Sequence, residues 1–266
     1  MFHFFADAAD IGMNTVHLRG ENYNHLKNVL RVRPGERVMI SDDSGRDYLC
    51  EVAEILSEGE PEVRLLILSE EESHELPADI YLFQGLPKSD KMELIIQKAV
   101  ELGAHCIVPL ETRNSVVRLD EKKKDSKVKR WNAISEAAAK QSKRSIVPEV
   151  CEVMRWKDAM QYVSGFEICM IPYENAQDIG KTMEMLQQLG AAGKTEERTA
   201  AGQRPRAAVF IGPEGGFTED EIAEARQNGI VPVTLGRRIL RTETAAICAM
   251  SMLMLTLEAG TEQENK

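Results

Sequence analysis

Val209-Phe-Ile-Gly-Pro-Glu-Gly-Gly-Phe-Thr-Glu-Asp-Glu221 reads as an apolar strand that runs into a glycine-rich turn and then a helix. Thr218 and Glu221 have the spacing of a capping box, which fixes where the helix starts. Gly212, Gly215 and Gly216 permit conformations and close approaches that a Cβ would block, so a ligand can lie against this turn. The turn is neither G-x-G-x-x-G nor G-x-x-x-x-G-K-[ST]. Glu214, Glu219, Asp220 and Glu221 crowd the helix start, where a pyrophosphate would be repelled, so the expected guest is a neutral or cationic adenosine compound. A tight turn with ordinary acidic capping accounts for the same letters equally well.

Downstream, Thr234-Leu-Gly-Arg-Arg-Ile-Leu-Arg-Thr-Glu-Thr-Ala-Ala closes a short strand, sets three arginines in a loop, and opens an apolar helix that Thr242 or Thr244 can cap. Upstream, apolar strands at Ile80–Phe83, Cys106–Val108, Ile168–Ile171 and Ala208–Ile211 alternate with helical stretches. In one of these, Met92, Ile95, Ile96, Ala99 and Val100 form a single face that stops at Gly103. Alternation of this kind predicts an α/β fold with a covered parallel sheet, and open sheets of that type gather ligands at the carboxyl ends of their strands. The stretch from Gly190 to Arg206 has no periodicity and is expected to be a mobile loop, and Gly260–Lys266 a frayed end.

The first seventy residues differ. Val38–Ile40, Tyr48–Leu56 and Val63–Leu68 are β-rich runs divided by turn chemistry at Arg33-Pro34-Gly35, Asp42–Gly45 and Glu58–Pro61, the pattern of a small barrel. Ser69–Pro77 combines like charges with a proline and suits a linker. The predicted domains are therefore 1–72 and 73–266.

A chain of 266 residues can bury a large core, and its net charge of −10 excludes a uniformly basic surface, so any nucleic-acid site must be local. The five cysteines are scattered without a C-x-x-C pair and read as reduced core thiols, and no signal peptide is apparent, so a cytoplasmic location is expected. Ala245–Leu257 falls short of a bilayer span and is expected to be a buried helix, with no membrane partner. The five histidines have no metal-ligand spacing, so no metal is expected.

The glycine turn and the Leu235–Ala245 segment together resemble the RsmE family, ribosomal RNA methyltransferases that modify N3 of a uridine in small-subunit RNA. The likeness extends to His25-Leu-Lys-Asn-Val-Leu-Arg31, Lys88–Glu93, Ile96–Gly103 and Glu136–Arg144, in the expected order. It implies an N-terminal PUA-like β-barrel and a SPOUT-type domain whose chain end forms a trefoil knot around S-adenosyl-L-methionine, usually in a homodimer. Leu235, Gly236, Ile239, Leu240, Thr244 and Ala245 would hold the cofactor, with Gly212, Glu214 and Gly216 as the opposite wall and Pro172 as a third side.

Between Arg113 and Arg144 eleven Lys or Arg face four Asp or Glu, a local excess suited to phosphates or to a solvated helix face. The resemblance favours 16S ribosomal RNA or the small ribosomal subunit as partner, contacted by Arg31, Arg33, Lys88, Lys91, Lys143 and Arg144. Arg241 is the expected catalytic residue, its guanidinium stabilising negative charge that develops on the uracil ring. His25 and His105 are candidate bases by chemistry alone. Two other readings stay open: a related enzyme acting on a ribose 2′-oxygen or a tRNA base, and an RNA-binding module without activity.

Overall fold

In the computed structural model, residues 1–42, 44–193 and 204–261 are described. The chain divides into two units, Met1–Glu75 with Ala139–Val147, and Leu76–Ala138 with the chain from Pro148 onward. The sequence reading placed the division after residue 72 and counted 139–147 with the second part.

In the first unit a five-stranded sheet runs in the order β1-β3-β4-β5-β2: β1 Phe2–Phe5, β2 Thr15–Leu18, β3 Arg37–Ser41, β4 Asp47–Leu56 and β5 Glu62–Glu71. Alternate residues such as Val38 and Ile40, Cys50 and Val52, Val63 and Leu65 face one core with Phe4, Val16 and Leu26. Register shifts between Leu49/Cys50 and Val52/Glu54 curl the two long strands. Ser69–Glu71, expected in a linker, pair with Asp47–Leu49 and lengthen β5. Cross-strand hydrogen bonding outweighs the local repulsion of their charges. After α1 (Gly20–Asn24), His25–Leu30 form a wider turn that ends at Arg31 with φ of 54°.

A polar spine completes this unit. His3 Nε2 donates to Ser41 Oγ at 2.6 Å, Ser41 donates to Asp47, and Ser145 Oγ donates to the other Asp47 oxygen at 2.6 Å. Arg144 Nε lies 2.8 and 3.0 Å from the two oxygens of Glu75, and the Ser145 backbone N–H adds a bond of 2.9 Å.

The second unit is built on β6 Asp79–Gly85, β7 Ala104–Glu111, β8 Glu149–Val150, β9 Met154–Arg155, β10 Ile168–Pro172, β11 Arg206–Ile211 and β12 Val231–Val233. The sheet order is β12-β10-β11-β6-β7-β8, β9 also lies on β7, and every pairing is parallel, as expected from the alternating pattern. The helices are α2 Lys91–Glu101, α3 Glu121–Ser142, α4 Trp156–Tyr162, α5 Ile179–Ala192, α6 Glu219–Gln227 and α7 Thr242–Thr261. Phe83 and Phe210 stack at 4.4 Å in the middle of the core. Gly190–Ala192, expected in a loop, finish α5, and Arg206 begins β11; residues 194–203 and 262–266 of the expected loop and tail lie outside the described residues.

Ala246, Ala249, Met250, Leu253 and Leu257 form the buried face of α7, which packs against α2, α5 and β11. At 19 residues and a mean hydropathy of 1.2, Thr242–Gly260 is longer than the sequence reading allowed and passes the length and polarity test for a membrane span. One side of it is core, while Leu255 on the other remains 59% exposed.

Candidate active site

Because β12, β10 and β11 are parallel neighbours, the loops at their carboxyl ends emerge side by side. They enclose a cavity of about 1100 Å³. One wall follows β10 at Pro172–Gln177, a second is Ile211–Phe217, and the third is Thr234–Ala245, with Lys91 of α2 reaching in.

The second and third walls are pinned from behind. Buried Thr182 of α5 donates to the Thr234 carbonyl at 3.0 Å and accepts from its N–H at 3.1 Å. Gly236 has φ of +110°, a conformation open to few side chains, and its N–H returns to Thr234 Oγ1. Thr242, expected as a helix cap, donates to the Gly212 carbonyl at 2.6 Å and accepts from Gln84 Nε2 at 2.9 Å. It thereby joins the third wall to the second. Gly85 must lack a side chain, since a Cβ would come 2.6 Å from Pro213 Cδ.

The acidic residues separate by task. Thr218 and Glu221 form the expected capping box, and buried Glu221 also accepts from the Arg113 N–H at 2.9 Å, while Asp220 pairs with Arg113. Only Glu214 of the four lines the cavity. Burial works to raise its carboxyl, but its own backbone N–H, the Lys91 ammonium and the Lys88 N–H together hold it below the usual carboxylate value. Lys91 lies 3.1 Å from Glu214 and 3.2 Å from Glu243, and these bonds raise its ammonium above the ordinary lysine value. The clasp is charged on both sides at neutral pH.

Of the residues expected around the ligand, Pro172, Gly212, Glu214, Gly216, Leu235, Gly236, Ile239, Leu240, Arg241 and Ala245 all line the cavity. Thr244 does not: it is exposed, beyond the lining of the third wall. Arg241 is exposed and makes no ion pair among the described residues, and Ile239 is 86% exposed at the rim. Lys91, assigned to RNA, belongs to the cavity. Lys88, Lys143, Arg31 and Arg33 are exposed. Arg144 is a correction: its side chain is 6% exposed and clasped by Glu75, at 3%, so its charge is spent inside the first unit and is not presented to a phosphate. Gln84 and Glu243 had no signal in the sequence. A glutamine within an apolar strand looks like any polar interruption until its partner, Thr242, is known.

Residues 18–66 match the family model described as an RNA methyltransferase PUA domain, and residues 74–254 match that of an RNA methyltransferase domain. The chain is 34% identical to the ribosomal RNA small subunit methyltransferase E of Bacillus subtilis, over 92% of this chain and 91% of that one. It is 30% identical to the protein of the same name from Mycobacterium bovis, over 87% and 82%. Among solved structures, ribosomal RNA small subunit methyltransferase E from Neisseria gonorrhoeae, bound to S-adenosyl methionine, superposes with a TM-score of 0.77 at 29% identity, covering 96% of this chain and 97% of that one. A Legionella pneumophila methyltransferase in complex with the same cofactor gives 0.75 at 27%, over 96% and 97%.

Proposed function

Because the chain belongs to the RNA methyltransferase family of the ribosomal RNA small subunit methyltransferase E proteins, we propose that it methylates N3 of a uridine in 16S ribosomal RNA, using S-adenosylmethionine. The observation that carries this reading is the cavity walled by three strand-end loops, with Arg241, which has no ion pair among the described residues, in its lining.

The residues present fit the cofactor. Leu235, Leu240 and Ala245 offer apolar contact for adenine, the walls carry backbone amides and carbonyls, and the Glu214 carboxylate has the sign that suits a sulfonium. When bound, that group supplies an activated methyl. The protein's task is then alignment and charge. Uridine N3 is a weak acid, so negative charge grows on the ring as it reacts; the Arg241 guanidinium, with no carboxylate partner among the described residues, stabilises it. Lys91 is held by Glu214 and Glu243 and fixes the second wall against the first turn of α7. Gln84 and Thr242 hold Gly212 so that the wall does not yield when a ligand presses on it.

The first unit serves as the PUA-like RNA-binding domain, with Arg31, Arg33 and Lys143 for phosphates; in the second unit Lys88 takes the same role. On the same reading the end of the chain forms a SPOUT-type trefoil knot. Two copies pair, with the exposed side of α7 supporting the contact, and the enzyme works in the cytoplasm on small-subunit RNA.

The test is methyl transfer from labelled cofactor to small ribosomal subunits taken from cells that lack this protein, followed by mass spectrometry of the digested RNA. The expected product is one N3-methyluridine. A methyl on ribose or on tRNA would reassign the substrate, and no transfer to any ribosomal RNA would overturn the reading.

A further inference from the structure

The second wall is held at three places, and the third hold comes from a loop that adds no residue to the cavity lining. Thr242 ties Gly212, and Lys91 with the Lys88 N–H ties Glu214. Next come Gly215 and Gly216, which line the cavity and have no side chain with which to fix their own peptide planes. Asn114 does this for them. Its Nδ2 donates to the Gly215 carbonyl at 2.9 Å and to the Gly216 carbonyl at 3.3 Å. The approach is close enough to demand glycine, since a Cβ on Gly215 would lie 3.0 Å from Asn114 Cβ.

The loop that carries Asn114 follows β7 and is braced at its base. Thr112 and Ser115 are buried, their hydroxyl oxygens lie 2.9 Å apart, and the Ser115 N–H donates to the Thr112 carbonyl at 3.2 Å. Arg113, beside Asn114, donates its N–H to Glu221, the carboxylate of the capping box. One short loop therefore grips the glycine turn and the start of α6 together. Gly215 is exposed and Gly216 half-buried, so their carbonyls would bond to water if the amide were removed, and folding would lose little. What would be lost is the fixed orientation of the wall.

We infer that Asn114 is a positioning residue for the cofactor. Acting through these two carbonyls, it holds the Gly215–Gly216 backbone in the shape that receives S-adenosylmethionine. This rests on the methyltransferase reading above, and it adds to the site a residue from a fourth strand end.

Two variants of the full-length protein test it. Asn114→Ala removes the donor; Asn114→Asp keeps the size and sets a carboxylate against two carbonyl oxygens. In ¹⁵N-labelled protein without ligand, the order parameters of the Gly216 and Phe217 amides are expected to fall from about 0.85, a rigid backbone, to below about 0.6 in both variants. Unchanged values overturn the hold. In calorimetric titration with S-adenosylhomocysteine, Kd is expected to rise about tenfold for Asn114→Ala and further for Asn114→Asp, while the melting midpoint of the free protein stays as in the wild type. In methyl transfer to small subunits the cofactor KM should rise by the same factor, with kcat at saturating cofactor within about twofold of the wild type. A lower melting midpoint with wild-type Kd would make Asn114 merely structural, and a fall in kcat with unchanged cofactor KM overturns the assignment too. Either result leaves the methyltransferase reading standing. If the wild-type protein binds no S-adenosylhomocysteine, that reading falls, and the cofactor role of Asn114 with it.

Discussion

Lys143-Arg144-Ser145 and Leu240-Arg241-Thr242 look alike in sequence, an arginine followed by a hydroxyl residue at the edge of a helix, and the fold treats them in opposite ways. Arg144 is enclosed, its guanidinium held by Glu75, and Ser145 bonds to Asp47. Arg241 stands in the open beside a cavity, and only Thr242 turns inward, to Gly212 and Gln84. One arginine has its partner inside the protein and is architecture. The other has no ion-pair partner among the described residues and is the proposed catalytic group. Charge density along the chain cannot distinguish them, because the difference lies in residues 69 positions away at Glu75 and in the strand order that opens the cavity.

The comparison breaks most sharply at Arg144. Arg144→Ala leaves the Glu75 carboxylate buried and unpaired, and a loss of about 3–5 kcal/mol is expected in urea unfolding of the first unit. The double change Arg144→Met with Glu75→Leu should recover most of it. The salt dependence of RNA binding should stay as in the wild type; a flatter slope would return Arg144 to phosphate contact. Arg241→Ala should do the reverse, sparing stability and cofactor affinity while kcat falls about 10²–10³-fold, as for loss of a group that acts on developing charge. Equal losses in cofactor binding and turnover would remove the catalytic assignment.

Smaller effects sharpen the contrast. Gly85→Ala pushes a methyl group into Pro213 and is expected to cost about 1–3 kcal/mol in melting experiments, with weaker cofactor binding because the second wall shifts. Smallest is a pH effect. The Glu214 carboxyl is held below its ordinary value of 4.5, so its contribution to the clasp is complete above that value and is lost as pH falls through the depressed folded-state value. In Lys91→Met one restraint on the carboxylate is gone, and the acid limb of cofactor binding should move to higher pH. An unmoved limb would show that Glu214 is set by backbone bonds alone.

The second unit was largely written in its letters. Strand and helix periods are strong there, and the glycine turn carries its own capping signal in Thr218 and Glu221. In the first unit β1 and β2 went unread, since four residues such as Phe2–Phe5 become a strand only by parallel pairing with Val38–Ser41. Ser69–Glu71 looked like a linker for a related reason, their partners lying at Asp47–Leu49. Around the cavity the glycine turn suggested one ligand-facing wall, and the remaining lining residues followed from the family resemblance. Gln84 and Glu243 were not legible, because each gains meaning only from a neighbour distant in the chain.

The third wall has a consequence for biosynthesis. Residues 234–245 follow every strand of the sheet, so a ribosome making this chain completes two sides of the cavity long before the last one emerges. A nascent polypeptide stalled short of Thr242 lacks the hydroxyl that ties Gly212 to Gln84. It lacks the core face of α7 as well, so closure of the site and completion of the packing wait for the same last stretch of chain.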